Sequence, residues 1–173
     1  LPSTSWKEKA FKKKEQQKWF EGETISLGIG QGYNAFTMLQ LAQATAIVAN
    51  GGIKHKPHLM IATQDPISRK ITPVEKTPPI VLGYKPENVE VFKNALVGVA
   101  RECTSARAFA GTNYVSAGKT GTAQAVTIGQ KDKYDAAKLE EAQRDHAVYM
   151  AFAPADNPQI ALAVIVENAG FGA

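Results

Sequence analysis

Lys119-Thr120-Gly121-Thr122 is the run in this sequence whose side chains are best suited to chemistry. It lies in an extended stretch, 115–128, where hydroxyls, glycines and one lysine stand at positions that a strand ordinarily fills with apolar side chains. Glycine is costly in a strand and marks close approach by other backbone or by a ligand. An ammonium, two hydroxyls and unencumbered N–H groups on a strand edge suit an anion or a developing oxyanion. A lysine in mid-strand must reach solvent or face an anion, because an unpaired buried ammonium is expensive. On residue types alone, a Gly-containing hairpin or plain edge strand accounts for the run equally well.

The elements that position this run follow from periodicity. Thr37 and Gln40 form a capping box, and Met38, Leu41, Ala42, Thr45 and Val48 follow at helical spacing to a stop at Asn50, Gly51 and Gly52, so 38–50 is a helix. Residues 53–60 read as extended, and 62–83, rich in Pro, Thr and charge, as a short hairpin or loop. Pro86 opens a second helix whose apolar face is Val89, Phe92, Leu96, Val99 and Cys103, with Cys103 expected to be buried. A polar link, 104–113, leads into the central strand. A charged excursion, 129–145, then separates that strand from the next; it is expected to be mobile, with exposed turns within 136–143. Residues 146–154 form a strand with Val148, Met150 and Phe152 on one face. The nearly all-apolar 160–167 should be the most buried strand. The expected fold class is mixed α+β: an antiparallel sheet in the order 115–128, 146–153, 160–167, covered by helices.

Composition narrows the function classes. The 173 residues are 44% apolar and 21% charged, as in a globular domain, and no apolar run is long enough to span a bilayer. No signal-peptide pattern is present. The single cysteine, Cys103, excludes an internal disulfide and any multi-cysteine metal site. Much of the net charge of +4 comes from Lys7, Lys9, Lys12, Lys13, Lys14 and Lys18, interleaved with Trp6, Phe11, Trp19 and Phe20. That interleaving can mark a nucleic-acid platform, but nothing later supplies a groove. No nucleic-acid partner is inferred, and 1–24 reads as an irregular, solvated basic segment. Gly28, Gly30 and Gly32 lack the helix and the Gly-Lys-Ser/Thr that a phosphate loop needs, so 25–32 reads as a tight turn. His55 and His58 have no third ligand at useful spacing, Asp65 being the nearest carboxylate. No metal or cofactor is expected.

Taken together, the chain resembles the C-terminal part of the transpeptidase domain of class B penicillin-binding proteins, elongation-type peptidoglycan D,D-transpeptidases. The resemblance rests on 27–33 (Leu-Gly-Ile-Gly-Gln-Gly-Tyr), 37–42 (Thr-Met-Leu-Gln-Leu-Ala), 49–52 (Ala-Asn-Gly-Gly), 117–124, 146–154 and the closing Val166-Glu167-Asn168. Lys-Thr-Gly is one of the signatures of serine β-lactamases and penicillin-binding proteins. One departure is Met38, where the family usually has proline after the threonine.

The resemblance implies a partial serine β-lactamase/penicillin-binding fold. It also implies attack by a serine on the bond between the last two D-alanines of a peptidoglycan stem peptide. By motif position, Lys119 and Thr122 are catalytic, and Thr120, Gly121, Thr122 and Gln124 bind substrate. The Thr122 N–H would be half of the oxyanion hole. The family's Ser-x-x-Lys nucleophile motif, its Ser-x-Asn motif and its final helix are expected outside this chain. Ser116-Ala117-Gly118-Lys119 fits the first motif by letters only, since it reads as strand where the family needs a helix. The partners implied are stem peptides ending in D-Ala-D-Ala, β-lactam antibiotics, a complementary segment of the same enzyme, a membrane-embedded glycan polymerase and elongation scaffold proteins. The implied location is the periplasmic face of the bacterial inner membrane, with an anchor outside this chain. Two other readings remain at this point: a non-catalytic fragment or binding domain, and a serine β-lactamase-like hydrolase.

Overall fold

The structure is a computed structural model that describes residues 2–125, 135 and 138–172. Its elements run α1 (Thr4–Ala10), α2 (Lys14–Gln17), α3 (Glu21–Gly28), α4 (Met38–Ala49), β1 (Ile53–Lys54), β2 (Ala62–Gln64), β3 (Ile71–Pro73), β4 (Ile80–Val81), α5 (Pro86–Glu102), α6 (Ala106–Phe109), β5 (Ala117–Ala123), β6 (His146–Ala153) and β7 (Ile160–Val166). The main sheet has the order β5-β6-β7, as the sequence predicts, and the fold is mixed α+β. Two small antiparallel ladders join β1 to β4 and β2 to β3.

The chain forms two compact units. One comprises Leu39–Lys119 and Met150–Val164. Its core joins Ala49 of α4, Leu96 of α5, Ala117 of β5 and Phe152 of β6, with Val48, Val97, Ala155 and Ala161 packed around them. Helix α4 starts and stops where its pattern predicts. At its end Gly52, at φ 98°, donates to the Ile47 carbonyl at 2.7 Å, a left-handed exit that only glycine adopts without strain. Helix α5 begins at Pro86, but its buried residues are Leu96 and Ala100, and Phe92 is exposed. Cys103 is exposed as well, against expectation, because it caps the helix instead of continuing its stripe. The link 104–113 contains the short α6.

The other unit comprises Leu1–Met38, Thr120–Tyr149 and Ile165–Ala173. Here the irregular reading of 1–24 is corrected: the segment folds into α1, α2 and the first half of α3. The Ser3 hydroxyl accepts the Trp6 N–H and caps α1, and the Glu23 carboxylate accepts the Phe20 N–H at the start of α3. Residues 25–28 therefore belong to a helix, and the glycine turn is confined to 29–32, with Gly30 and Gly32 at positive φ. Lys7 is not a solvated lysine but 2% exposed. Its ammonium pairs with Glu23, donates to the Lys18 carbonyl at 2.7 Å, and lies 5.1–5.9 Å from the ring centroids of Phe20, Tyr33 and Phe11. The Tyr33 hydroxyl donates to the same Glu23 carboxylate at 2.9 Å. The ammonium can be buried because a carboxylate, a carbonyl and ring faces replace its water.

Strand β7 is also corrected. Its burial alternates, with Ile160, Leu162, Val164 and Val166 exposed, because it is an edge of the sheet and one face is uncovered among the described residues. Within the charged excursion, a 3₁₀ turn covers Glu141–Gln143. Positions 129–134, 136 and 137 of the excursion expected to be mobile lie outside the described residues, as do 126–128, the far end of the predicted central strand.

The Lys7–Glu23 pair sets a pH dependence. Hydrogen bonding from Lys7, then from the Phe20 N–H, holds the Glu23 carboxyl below its ordinary 4.5; burial works the other way, and Tyr33 adds to the lowering. Burial works to lower the Lys7 pKa, but its interactions with Glu23 and Tyr33 prevail and leave it above 10.5. The Glu23 contribution is therefore present above the unfolded value and is lost as pH falls through the lowered native one. The Lys7 contribution is complete below 10.5 and is lost as pH rises through the raised native value. We expect Glu23→Gln to melt below wild type at about pH 7, with the gap closing as pH falls below 4.5 and through the lowered native value. A melting gap that stays constant over that range would contradict the assignment.

Candidate functional site

Strand β5 carries the predicted residues, and its burial changes along its length. Ser116, Ala117 and Gly118 are buried, Ala117 completely, while Lys119 is exposed and Thr120, Gly121, Thr122 and Ala123 are half-buried. Gln124, just past the strand, is exposed. The strand is thus fixed at its start by core packing and comes out at the lysine. β5 is also an edge strand, hydrogen-bonded to β6 on one side. Its chemistry-bearing residues therefore stand on a sheet edge that is held from behind. The Ser-x-x-Lys letters at Ser116 are structural: an extended chain places Lys119 about 10 Å further on, and Ser116 is 4% exposed.

Beyond Ala123 the strand is tied down by Asp145, a buried residue that sequence reasoning placed in the charged excursion. Its Oδ1 accepts the Ala125 N–H at 3.0 Å, and its backbone carbonyl accepts the Gly170 N–H at 2.8 Å. Next to it, His146 Nδ1 accepts the Asn168 N–H at 2.9 Å, and Asn168 Nδ2 donates to the Arg144 carbonyl at 3.1 Å. The segment after β7 is thereby led back to β5, where the Gly172 N–H donates to the Thr122 hydroxyl at 3.2 Å. A Cβ on Gly172 would lie 1.9 Å from the Gly121 carbonyl oxygen and 3.2 Å from the Val148 nitrogen, so only glycine fits. At Gly121 itself a Cβ would meet Val148 at an ordinary 3.7 Å. The close approach that requires glycine is therefore at Gly172, against the Gly121 backbone, and not at Gly121. Gly170 and Gly172, alternating just past the last apolar strand, were the available signal for it.

A cleft of about 920 Å³ is lined by Glu90, Lys93, Arg101, Tyr114 and Asp156 among others, and by none of 119–124. Lys93 is paired with Glu90 at 3.4 Å, and the lining offers no activated nucleophile. Chemistry, not volume, selects β5. Among the described residues, no group of three His, Cys, Asp or Glu could hold a metal ion.

Residues 5–173 match the family model for the penicillin-binding protein transpeptidase domain. Peptidoglycan D,D-transpeptidase MrdA of Haemophilus influenzae is 39% identical over 99% of this chain and 26% of its own length. The crystal structure of Pseudomonas aeruginosa PBP2 superposes with a TM-score of 0.70 at 38% identity, covering 99% of this chain and 32% of that one. PBP2 of Helicobacter pylori, solved in complex with MreC, gives 0.72 at 25% identity over 96% of this chain and 27% of that one. The chain spans about a quarter of the length of the curated relatives it matches.

The Asp145 clamp yields a direct expectation. Asp145→Ala leaves a backbone N–H without its acceptor and should cost about 1–3 kcal/mol in chemical denaturation. Asp145→Asn keeps an acceptor oxygen and should recover most of that loss. Equal losses in the two variants would refute the hydrogen-bond account.

Proposed function

The chain belongs to the penicillin-binding protein transpeptidase family, and we propose that it supplies the Lys-Thr-Gly-Thr wall of a serine D,D-transpeptidase that cross-links peptidoglycan stem peptides. The observation that carries this reading is a lysine exposed on a sheet edge whose preceding residues are locked in the core.

The reaction has two steps. A serine hydroxyl attacks the carbonyl between the two terminal D-alanines; its proton leaves with D-alanine, whose amine accepts it, and an acyl ester forms. An amine of a neighbouring stem peptide then attacks the ester and returns the hydroxyl to the serine. The nucleophile is assigned to a complementary segment of the enzyme, which brings its own Ser-x-x-Lys. This chain's residues provide electrostatics and binding. Lys119 attracts the C-terminal carboxylate of the stem peptide and supports proton transfer. The Thr122 N–H helps hold the oxyanion, and its hydroxyl, with Thr120, meets the carboxylate. Gly121 leaves room for the peptide to lie along β5, and Gln124 lines the leaving-group side. β-Lactams, which present a strained amide and a carboxylate in the same relation, enter by the same contacts.

For the whole protein we extend the reading to the elongation machinery at the periplasmic face of the inner membrane, beside a glycan polymerase and scaffold proteins. The MreC complex of the H. pylori relative supports that extension. No helix among the described residues is long and apolar enough to cross a membrane.

Two outcomes test the proposal. In the complete enzyme, Lys119→Ala should lower the acylation rate with a chromogenic cephalosporin by about a hundredfold without lowering the melting temperature, and Thr122→Val should cost less because its backbone N–H survives. A Lys119→Ala variant that acylates within about twofold of wild type, far short of the loss of a preorganised donor, would remove β5 from the active site. The isolated 173-residue chain should form no penicilloyl adduct by intact-mass analysis, and a stable adduct would overturn the placement of the nucleophile elsewhere.

A further inference from the structure

We propose that residues 168–172 form a strap whose Gly172 amide orients the Thr122 hydroxyl towards the substrate carboxylate, which makes Gly172 a positioning residue; this rests on the reading of Thr122 as a carboxylate contact. The strap is attached at successive points by the bonds Asn168 N–H to His146 Nδ1, Asn168 Nδ2 to the Arg144 carbonyl, Gly170 N–H to the Asp145 carbonyl and Gly172 N–H to Thr122 Oγ1. The contact between Gly172 and Thr122 is therefore the end of an anchored run and not a chance touch of a loose end.

Its effect derives from the bonding capacity of a hydroxyl, which has one proton to donate and two lone pairs that accept. The Gly172 N–H occupies the acceptor side of Thr122 Oγ1. The O–H cannot point along that line, so its proton turns away from the strap. The β-branched threonine is stiff about χ1 and holds the oxygen in place while the proton turns. A carboxylate can only accept, so a hydroxyl with its acceptor side already engaged is preset to donate to it. Glycine at 172 is required for the approach, since any Cβ there meets the Gly121 carbonyl oxygen at 1.9 Å and one of the two backbones must give way.

The test uses the complete enzyme and a matched pair of cephalosporins, the free carboxylate and its methyl ester. The ratio of their second-order acylation rates measures how strongly the enzyme reads the carboxylate. Gly172→Ala should lower that ratio by about tenfold, the scale of one hydrogen bond to a charged group. Thr122→Val should lower it by a similar factor, and adding Gly172→Ala to Thr122→Val should change it little further. If Thr122→Val lowers the ratio but Gly172→Ala does not, the strap proposal falls and the Thr122 assignment stands. If Gly172→Ala slows acid and ester equally, its role is structural only and the proposal is again overturned. If Thr122→Val leaves the ratio unchanged, the Thr122 reading fails and takes the strap with it, while Lys119→Ala still tests β5. Hydrogen exchange at the Gly172 amide covers the case in which Gly172→Ala does not fold. The amide should exchange faster in Thr122→Val than in wild type, and equal rates would overturn the proposal.

Discussion

The cost of removing an ammonium from water governs how this chain uses its lysines. Lys7 is buried because Glu23, the Lys18 carbonyl and the rings of Phe20, Tyr33 and Phe11 take the place of water around it. Lys119 comes after a wholly buried stretch of β5 and stands exposed at the point where the strand comes out. The first arrangement is structural: carboxylate and ammonium satisfy each other and hold α1 to α3. The second brings an ammonium to the surface of a sheet edge, which is where the proposed reading needs a cation to meet an anion. The difference between the two lysines lies in what surrounds each side chain.

Different contacts hold the start of β5 and the segment beyond its end. Before Lys119, Ala117 packs with Ala49, Leu96 and Phe152. After Ala123, the Asp145 carboxylate holds the Ala125 N–H, and the Asp145 carbonyl and His146 ring hold the segment that reaches Thr122. Electrostatic stabilisation of a transition state works only when the donors are already in place and need not reorganise. Under the proposed reading such donors stand on 120–123 of β5, beside the segment tied to Thr122 and Ala125.

Much of this was legible in the sequence where patterns are local. Helix α4 was visible from Thr37 to Gly52, the start of α5 from Pro86, and the order of β5, β6 and β7 from their spacing. What was hidden depends on distant partners. The helices of 4–28 are short, and nothing near Lys7 in sequence announces that Glu23 will bury it. The composition of β7 identified a strand, but the exposure of Ile160, Leu162, Val164 and Val166 depends on which strands and helices lie next to it. Cys103 and Phe92 illustrate a smaller error: an apolar spacing fixes a helix before it fixes which residue ends it or which side is covered. At the site, residue types pointed to Lys119 and Thr122. Asp145, Asn168 and Gly172 act through hydrogen bonds to groups distant in sequence, which residue type does not announce.

The central claim is that the β5 edge receives the substrate carboxylate. The most direct measurement is a crystal structure of the complete enzyme acylated by a carboxylate-bearing β-lactam. The account predicts the ligand lying along β5, with a carboxylate oxygen at hydrogen-bond distance, about 2.5–3.0 Å, from the Thr122 hydroxyl while the Gly172 N–H still donates to that hydroxyl. An acyl group whose carboxylate lies away from Lys119, Thr120 and Thr122 would contradict it.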